Sequence, residues 1–310
     1  MIITVTLNPS IDVVYQLDTL HVDAVNRVQD VRKTAGGKGL NVTRVLKQFG
    51  DPVLSTGFLG GGLGQVLAQE LDRQGIAHSF QEIAGETRNC VAILHQGQQT
   101  EILEQGPEIL EEESKAFKEH FKVLLDQADW VVFSDSLPRG LSVDYYVSLI
   151  QLCQEAGVGV ILDTSGASLE AVLDSSYRPS LIKPNLDELT QLVGHEVHSD
   201  LDDLKAILAG DRFSGIDWIV VSLGAEGAFA KHGDRYYRVK IPKISVVNPV
   251  GSGDATVAGL ASGLLHGLED GEMLKRGNLL GMLNAQEEAT GFVNLDKATD
   301  LLEQIEVEEV

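Results

Sequence analysis

Between residues 130 and 183, short apolar runs rich in β-branched residues take turns with longer runs of helical spacing. Residues 130–133, 158–162 and 180–183 read as buried strands, and 143–155 and 169–173 between them read as helices. A chain that alternates in this way has few architectures open to it. Each strand must return through a right-handed crossover, which builds a parallel sheet covered by helices. Residues 2–7 give the same kind of buried strand near the start, and 218–222 another later on. Two strand-rich stretches, about 11–33 and 86–104, interrupt the rhythm and predict a second, small β-sheet. The second stretch reads as a hairpin turning at Gln96-Gly97-Gln98. Within the first, 13–17 and 25–31 alternate like strands, with Arg27 on the latter. The 310 residues contain no low-complexity linker and no internal repeat, so one α/β domain over 1–310 is expected, with the small sheet inserted in it.

Charge excludes whole classes of partner. The net charge is −22, from 24 basic and 46 acidic residues. Nucleic acid and anionic membranes both require basic surface and are disfavoured. Cys90 and Cys153 have no metal-like spacing, and the eight histidines show none either. No apolar run reaches the length of a membrane span, so the expected location is the reducing cytoplasm.

Several stretches carry chemistry. Asn248-Pro249-Val250-Gly251-Ser252-Gly253-Asp254 runs directly into an apolar-periodic helix. Gly251, Ser252 and Gly253 can turn free N–H groups outward at that helix N-terminus, which makes an anion site. Asp254 beside it is either a helix cap or a carboxylate that takes a proton from an attacking hydroxyl. Gly36-Gly37-Lys38-Gly39 opens another helix carrying Asn41. It is not a Walker A loop, because Arg32 stands where a glycine is needed. No dinucleotide fingerprint occurs at any strand-to-helix turn, which disfavours an oxidoreductase. Asp12 follows the first strand, where α/β folds place ligands, although Asp also serves in turns. Arg88 stands at the entrance of the hairpin, and Arg27, Lys38 and Arg88 together would supply the positive cluster that an anionic substrate needs. Lys183-Pro184-Asn185-Leu186-Asp187-Glu188 follows a strand and opens a helix, with Asn185 and Glu188 spaced for a capping box. Ser222, Gly224 and Gly227 at the end of 218–222 are small enough to accept a nucleotide, and Asn284 on the last long helix is a candidate to edge its base.

These motifs, in this order, resemble those of the PfkB (ribokinase-like) carbohydrate kinases. Gly36-Gly37-Lys38 with Asn41 resembles the first signature of that family, Lys183-Pro184-Asn185 with Glu188 a middle motif, and residues 248–254 the second signature. The resemblance implies a three-layer α/β/α sandwich with a mainly parallel sheet and a small β-sheet lid. It implies that Asp254 is the catalytic base and that residues 251–254 form the anion hole. Asp12, Arg27, Gly37, Lys38, Asn41, Arg88 and Ser136 would hold a sugar phosphate. Lys183, Asn185, Glu188, Ser222, Gly224, Gly227 and Asn284 would hold ATP, with Glu188 acting on Mg²⁺ through water. Lids of two subunits would pair in a homodimer. Within the family, the motif set most resembles the branch acting on tagatose 6-phosphate at its C1 hydroxyl, in lactose and galactose breakdown. The 1- and 6-phosphofructokinase activities are the alternatives, and a catalytically silent nucleotide- or sugar-phosphate-binding regulator is a third. One departure stands out. In Ser134-Asp135-Ser136-Leu137-Pro138, Asp135 takes the place where the family has glycine. If that position requires positive φ, Asp is a poor substitute for Gly.

Overall fold

The computed structural model describes residues 1–310. An eleven-stranded sheet forms its middle layer. Seven strands run parallel in the order Ala77–His78, Val53–Gly60, Ile2–Thr6, Trp130–Ser134, Gly159–Asp163, Leu181–Ile182 and Trp218–Ser222. Ala228–His232, Arg235–Lys240 and Glu306–Glu309 extend it antiparallel. Gln81–Ile83 pairs with Val53–Gly60 off this path.

Strand periodicity sends alternate side chains to opposite faces. Ile3, Val5, Val131, Phe133, Val160 and Leu162 pack on one side, with Phe117, Leu149, Leu189 and Leu204 of the helices there. Ile2, Val132, Ile161 and Val220 pack on the other, with Val42, Val45, Ala258, Leu260, Leu280 and Leu283. Both faces are therefore buried, which is why these strands read as continuous apolar runs rather than alternating ones. Helices Glu111–Leu125, Tyr145–Glu155, Gly166–Leu173, Leu186–Val193 and Leu201–Leu208 form the first outer layer. Helices Lys38–Phe49, Ser252–Leu265 and Asp270–Ala285 form the second.

The small sheet is separate, in the order Asp30–Gly36, Ser10–Leu17, Arg88–His95 and Gln98–Leu103. Its inner face seals a third cluster of Ile11, Val13, Leu40, Leu59, Leu67 and Leu71. The hairpin turns where the sequence predicts, with His95 opposite Gln98. The partner of Ser10–Leu17 is Asp30–Gly36 rather than 25–31. Asn26 explains the difference. Its side chain bonds both the N–H and the C=O of His21, closing residues 21–26 into a local loop that competes with strand pairing. Val25 and Arg27 are consequently exposed and off the sheet. The acidic edge strand Glu306–Glu309 has no counterpart in the sequence reading; three carboxylates in four residues weaken the apolar signal that marks a strand.

Candidate active site

The parallel strands end on one side of the large sheet, and the motif residues gather there. Asn8 follows Ile2–Thr6, Asp135 follows Trp130–Ser134, Asp163 ends Gly159–Asp163, and Lys183 follows Leu181–Ile182. Facing them is the start of helix Ser252–Leu265. Its N-cap, Gly251, has φ +82°, the left-handed region that a side chain would strain, and a Cβ there would meet Thr290 at 2.4 Å. The helix thus begins with its first N–H groups uncapped by any side chain.

Asp254 lies in that first turn, 7% exposed. Asn41 donates to it through Nδ2 at 2.7 Å, and Arg44 in turn donates to Asn41 Oδ1, which fixes which way the amide points. Burial, reinforced by the charge of Asp163, pushes the Asp254 carboxyl up to about 7 against the opposing pull of Asn41, Lys38 and Lys183. Lys183 is 5% exposed, pairs with Asp163 at 3.3 Å, and stands 3.5 Å from where a Cβ on Gly253 would be. A buried ammonium therefore flanks the anion loop. Lys38 opens its helix at the Gly37 N-cap. Burial alone would lower its pKa, but the charges of Asp163, Asp254, Glu188 and Asp135 outweigh that and raise it, keeping the ammonium charged. A buried carboxylate, a helix N-terminus with open N–H groups and two cations in one place are groups that phosphoryl transfer can use.

On the small-sheet side, Asp12 accepts from Ser10 Oγ at 2.6 Å, and burial raises its pKa. Its carboxylate lies directly over Gly36, where any Cβ would come within 2.0 Å of it. Arg88 is half-buried. It donates from Nε and Nη2 to Asn8 O at 3.1 and 2.8 Å, and from Nη1 to Glu104 O at 3.0 Å. Ser136 is exposed beside Asp135. Arg27 is exposed in the loop and makes no hydrogen bond or ion pair within the chain, so Lys38 and Arg88 gather near Asp135 without it.

The Lys183–Glu188 stretch forms the expected capping box. Asn185 accepts from Glu188 N at 2.8 Å, and Glu188 Oε2 accepts from Asn185 N at 2.9 Å. Ser222 N donates to Pro184 O at 3.0 Å, placing the loop of Ser222, Gly224 and Gly227 against this motif. Asn284 departs from expectation. It is 1% exposed, donates to Val250 O at 3.0 Å and accepts from Gly291 N at 2.9 Å. Its polar groups brace the anion loop from beneath and are not free to edge a base.

Asp135 also corrects its expectation, since its φ is not positive and the backbone imposes no demand for glycine. Asp163 and Arg44 are the site residues that the sequence reading missed. Asp163 had a signal: an acid immediately after a core strand, the same placement that singled out Asp12.

The sequence profile described as pfkB family carbohydrate kinase matches residues 5–298. Among solved structures, the chain is similar to a provisionally assigned phosphofructokinase from Staphylococcus aureus at 32% identity and TM-score 0.86, covering 100% of this chain and 99% of that one. It is similar to the phosphofructokinase-2 from Escherichia coli solved with potassium at 26% identity and TM-score 0.90, covering 97% and 98%. A provisionally assigned 1-phosphofructokinase from Thermotoga maritima shows 27% identity and TM-score 0.88, covering 100% and 99%.

Proposed function

The chain belongs to the pfkB family of carbohydrate kinases, and from that premise we propose that it transfers the γ-phosphoryl group of ATP to a hydroxyl of a ketohexose phosphate. The observation that carries the reading is Asp254. It is a buried carboxylate oriented by Asn41 in the first turn of a helix, with its pKa raised to about 7. A base needs a pKa near the working pH, which Asp254 has, and a place next to the reacting hydroxyl, which this reading assigns to the space beside the Gly251 loop. The N–H groups after Gly251, with Lys183 beside Gly253, face the charge that spreads over the moving phosphoryl group. Lys38 neutralises from the opposite loop. Asp12 takes sugar hydroxyls, while Arg88 and Ser136 stand on the side of the acceptor's own phosphate.

ATP would lie along the Lys183–Glu188 motif and the loop of Ser222, Gly224 and Gly227. No group of three His, Cys, Asp or Glu side chains could hold a metal ion by itself. Glu188, with Oε2 spent on its cap and Oε1 without a hydrogen bond, fits a cation held mainly by nucleotide phosphates and water. Bound there, Mg²⁺ would neutralise phosphate charge during transfer.

Within the ketohexose phosphates, the motif set favours D-tagatose 6-phosphate, phosphorylated at C1 to the 1,6-bisphosphate. The names of the structural relatives favour fructose phosphates. Coupled ADP release with ATP and Mg²⁺ across tagatose 6-phosphate, fructose 6-phosphate and fructose 1-phosphate tests the proposal. The highest kcat/KM names the acceptor, and no turnover on any of the three, with ATP still bound, overturns the ketohexose-phosphate assignment in favour of another acceptor or a silenced site. A homodimer through the small sheet belongs to the same proposal. Tyr15, Leu17, Leu20, Val28, Val31 and Ile93 line a concavity on that sheet which a second copy would cover. Light scattering after size exclusion that finds only monomer would remove it.

A further inference from the structure

Asp135 is a buried acid that the transfer chemistry leaves unused. It is 5% exposed, at the end of a central strand. Its Oδ1 accepts from Ser136 N at 2.8 Å and its Oδ2 from Asn8 N at 3.2 Å. Its carbonyl is held as well, by Tyr146 Oη and Thr164 Oγ1, each at 3.1 Å. The carboxylate is therefore fixed from both ends. Lys38 and Arg88 act on it as the nearby positive charges. Two converging backbone N–H groups with an ammonium and a guanidinium near them are the donor set that a phosphate dianion takes. In this chain a side chain has already taken the N–H groups.

We propose that Asp135 is a specificity-determining residue, a resident anion in the seat for the acceptor's phosphate, so that the protein discriminates against acceptors carrying that phosphate as a dianion. The proposal rests on the kinase reading and adds a charge rule to it. Where Asp135 is ionised, an incoming dianion meets a like charge and finds both N–H groups occupied. Where it is protonated, the repulsion falls away and one oxygen becomes a donor. Burial pushes this carboxyl up to about 6, so the change falls between mildly acidic and neutral conditions. The groups facing it come from three elements. Arg88 stands on the small sheet with Cys90 beyond it, Lys38 on the first helix, and Tyr146 on helix Tyr145–Glu155. The Lys38 ammonium, raised, stays charged across this range, and neither the phenol nor the thiol, both raised, titrates in it. Asp135 is then the group facing this seat that changes charge, and Asp254, which titrates nearby in native protein and variants alike, cancels in their ratio.

The test compares the protein with Asp135→Gly and Asp135→Asn on tagatose 6-phosphate and fructose 6-phosphate. The ratio of KM, native over variant, cancels the titration of the substrate's own phosphate. We expect a ratio of about tenfold near pH 8, shrinking to within about twofold near pH 5.5, with kcat changed less than KM. A ratio of one near pH 8, or one that does not change with pH, overturns the proposal. Sulfate binding by calorimetry gives a readout that needs no turnover and a probe that does not titrate. We expect Asp135→Gly to bind sulfate about tenfold tighter than the native protein, a gain lost in the double variant with Arg88→Ala. If no ketohexose phosphate is turned over but the sulfate contrast stands, the acceptor assignment falls and the anion seat survives. If turnover is normal and both contrasts are absent, the seat falls and the kinase reading survives.

Discussion

The loop around Asp254 and the loop around Asp135 each bury a carboxylate beside the C-terminal ends of the parallel strands, 7% and 5% exposed. Burial raises both, to about 7 and about 6. They differ in what holds them. Asp254 is held by one side chain, Asn41, and the N–H groups of its helix are left for something else. Asp135 takes up backbone N–H groups with both of its oxygens. An acid held by a side chain next to open donors is placed to act on a ligand. An acid that consumes the donors excludes one. Burial and a raised pKa alone do not distinguish a base from a tenant; the partners do.

The largest effect should come from removing Asp254, the proposed base. Asp254→Asn keeps the shape and the possibility of a bond to Asn41 but cannot take a proton. We expect kcat to fall by roughly 10²–10⁴ with a smaller change in KM. The pH profile sharpens the same point. A base must be deprotonated to work, so kcat, which the Asp135 effect on KM leaves aside, should rise with pH through about 7, the value to which burial lifts Asp254. Near-normal turnover in the variant, or a profile flat from mildly acidic to neutral pH, would erase the difference drawn between the two loops.

Next in size is the pair that supports the Asp254 side. Lys183 and Asp163 are 5% and 8% exposed in their side chains and 3.3 Å apart. Lys183→Met would strand a buried carboxylate, which typically costs about 3–5 kcal/mol. Chemical denaturation should show that loss. Asp163→Asn should recover part of it in the double variant, since the stranded charge is then gone. Catalysis should not recover, because the ammonium beside Gly253 is still missing. Recovery of turnover together with stability would mean that Lys183 serves the fold only.

The two loops were unequally legible in the sequence. The Asp254 loop announces itself by glycine spacing, a following apolar helix and an acid between them, all local features. Its support was less visible. Asp163 and Lys183 are twenty residues apart, and what brings them together is the adjacency of parallel strands, which is a matter of sheet order rather than of spacing. Asn284 misled because spacing places it on the last long helix but does not show its partners, Val250 and Gly291, which lie in other loops. The sandwich itself followed from the alternation of runs. The strand at 25–31 did not form because Asn26 closes a loop that no two-residue period reveals. The Asp135 loop was visible only as a departure from a resembled motif, and its partner Asn8 is 127 residues away.

The smallest predicted effect concerns stability and separates the tenant from the base without any substrate. A carboxyl whose folded pKa lies above its unfolded value of 3.8 binds its proton more tightly when folded. Its contribution is fully present below the unfolded pKa and is lost as pH rises through about 6 for Asp135. The native protein should therefore lose stability between about pH 4.5 and 8, by on the order of 2 kcal/mol from this residue. Asp135→Asn cannot ionise, so the variant should gain on the native protein across that interval whatever the fixed cost of leaving an N–H group of Asn8 or Ser136 without its acceptor. Melting temperatures of the two proteins, measured at both ends of the interval, give the difference directly. A gap that stays constant would mean that the two backbone N–H groups and the nearby cations compensate burial fully, and Asp135 would then be ionised throughout, a permanent tenant rather than a titrating one.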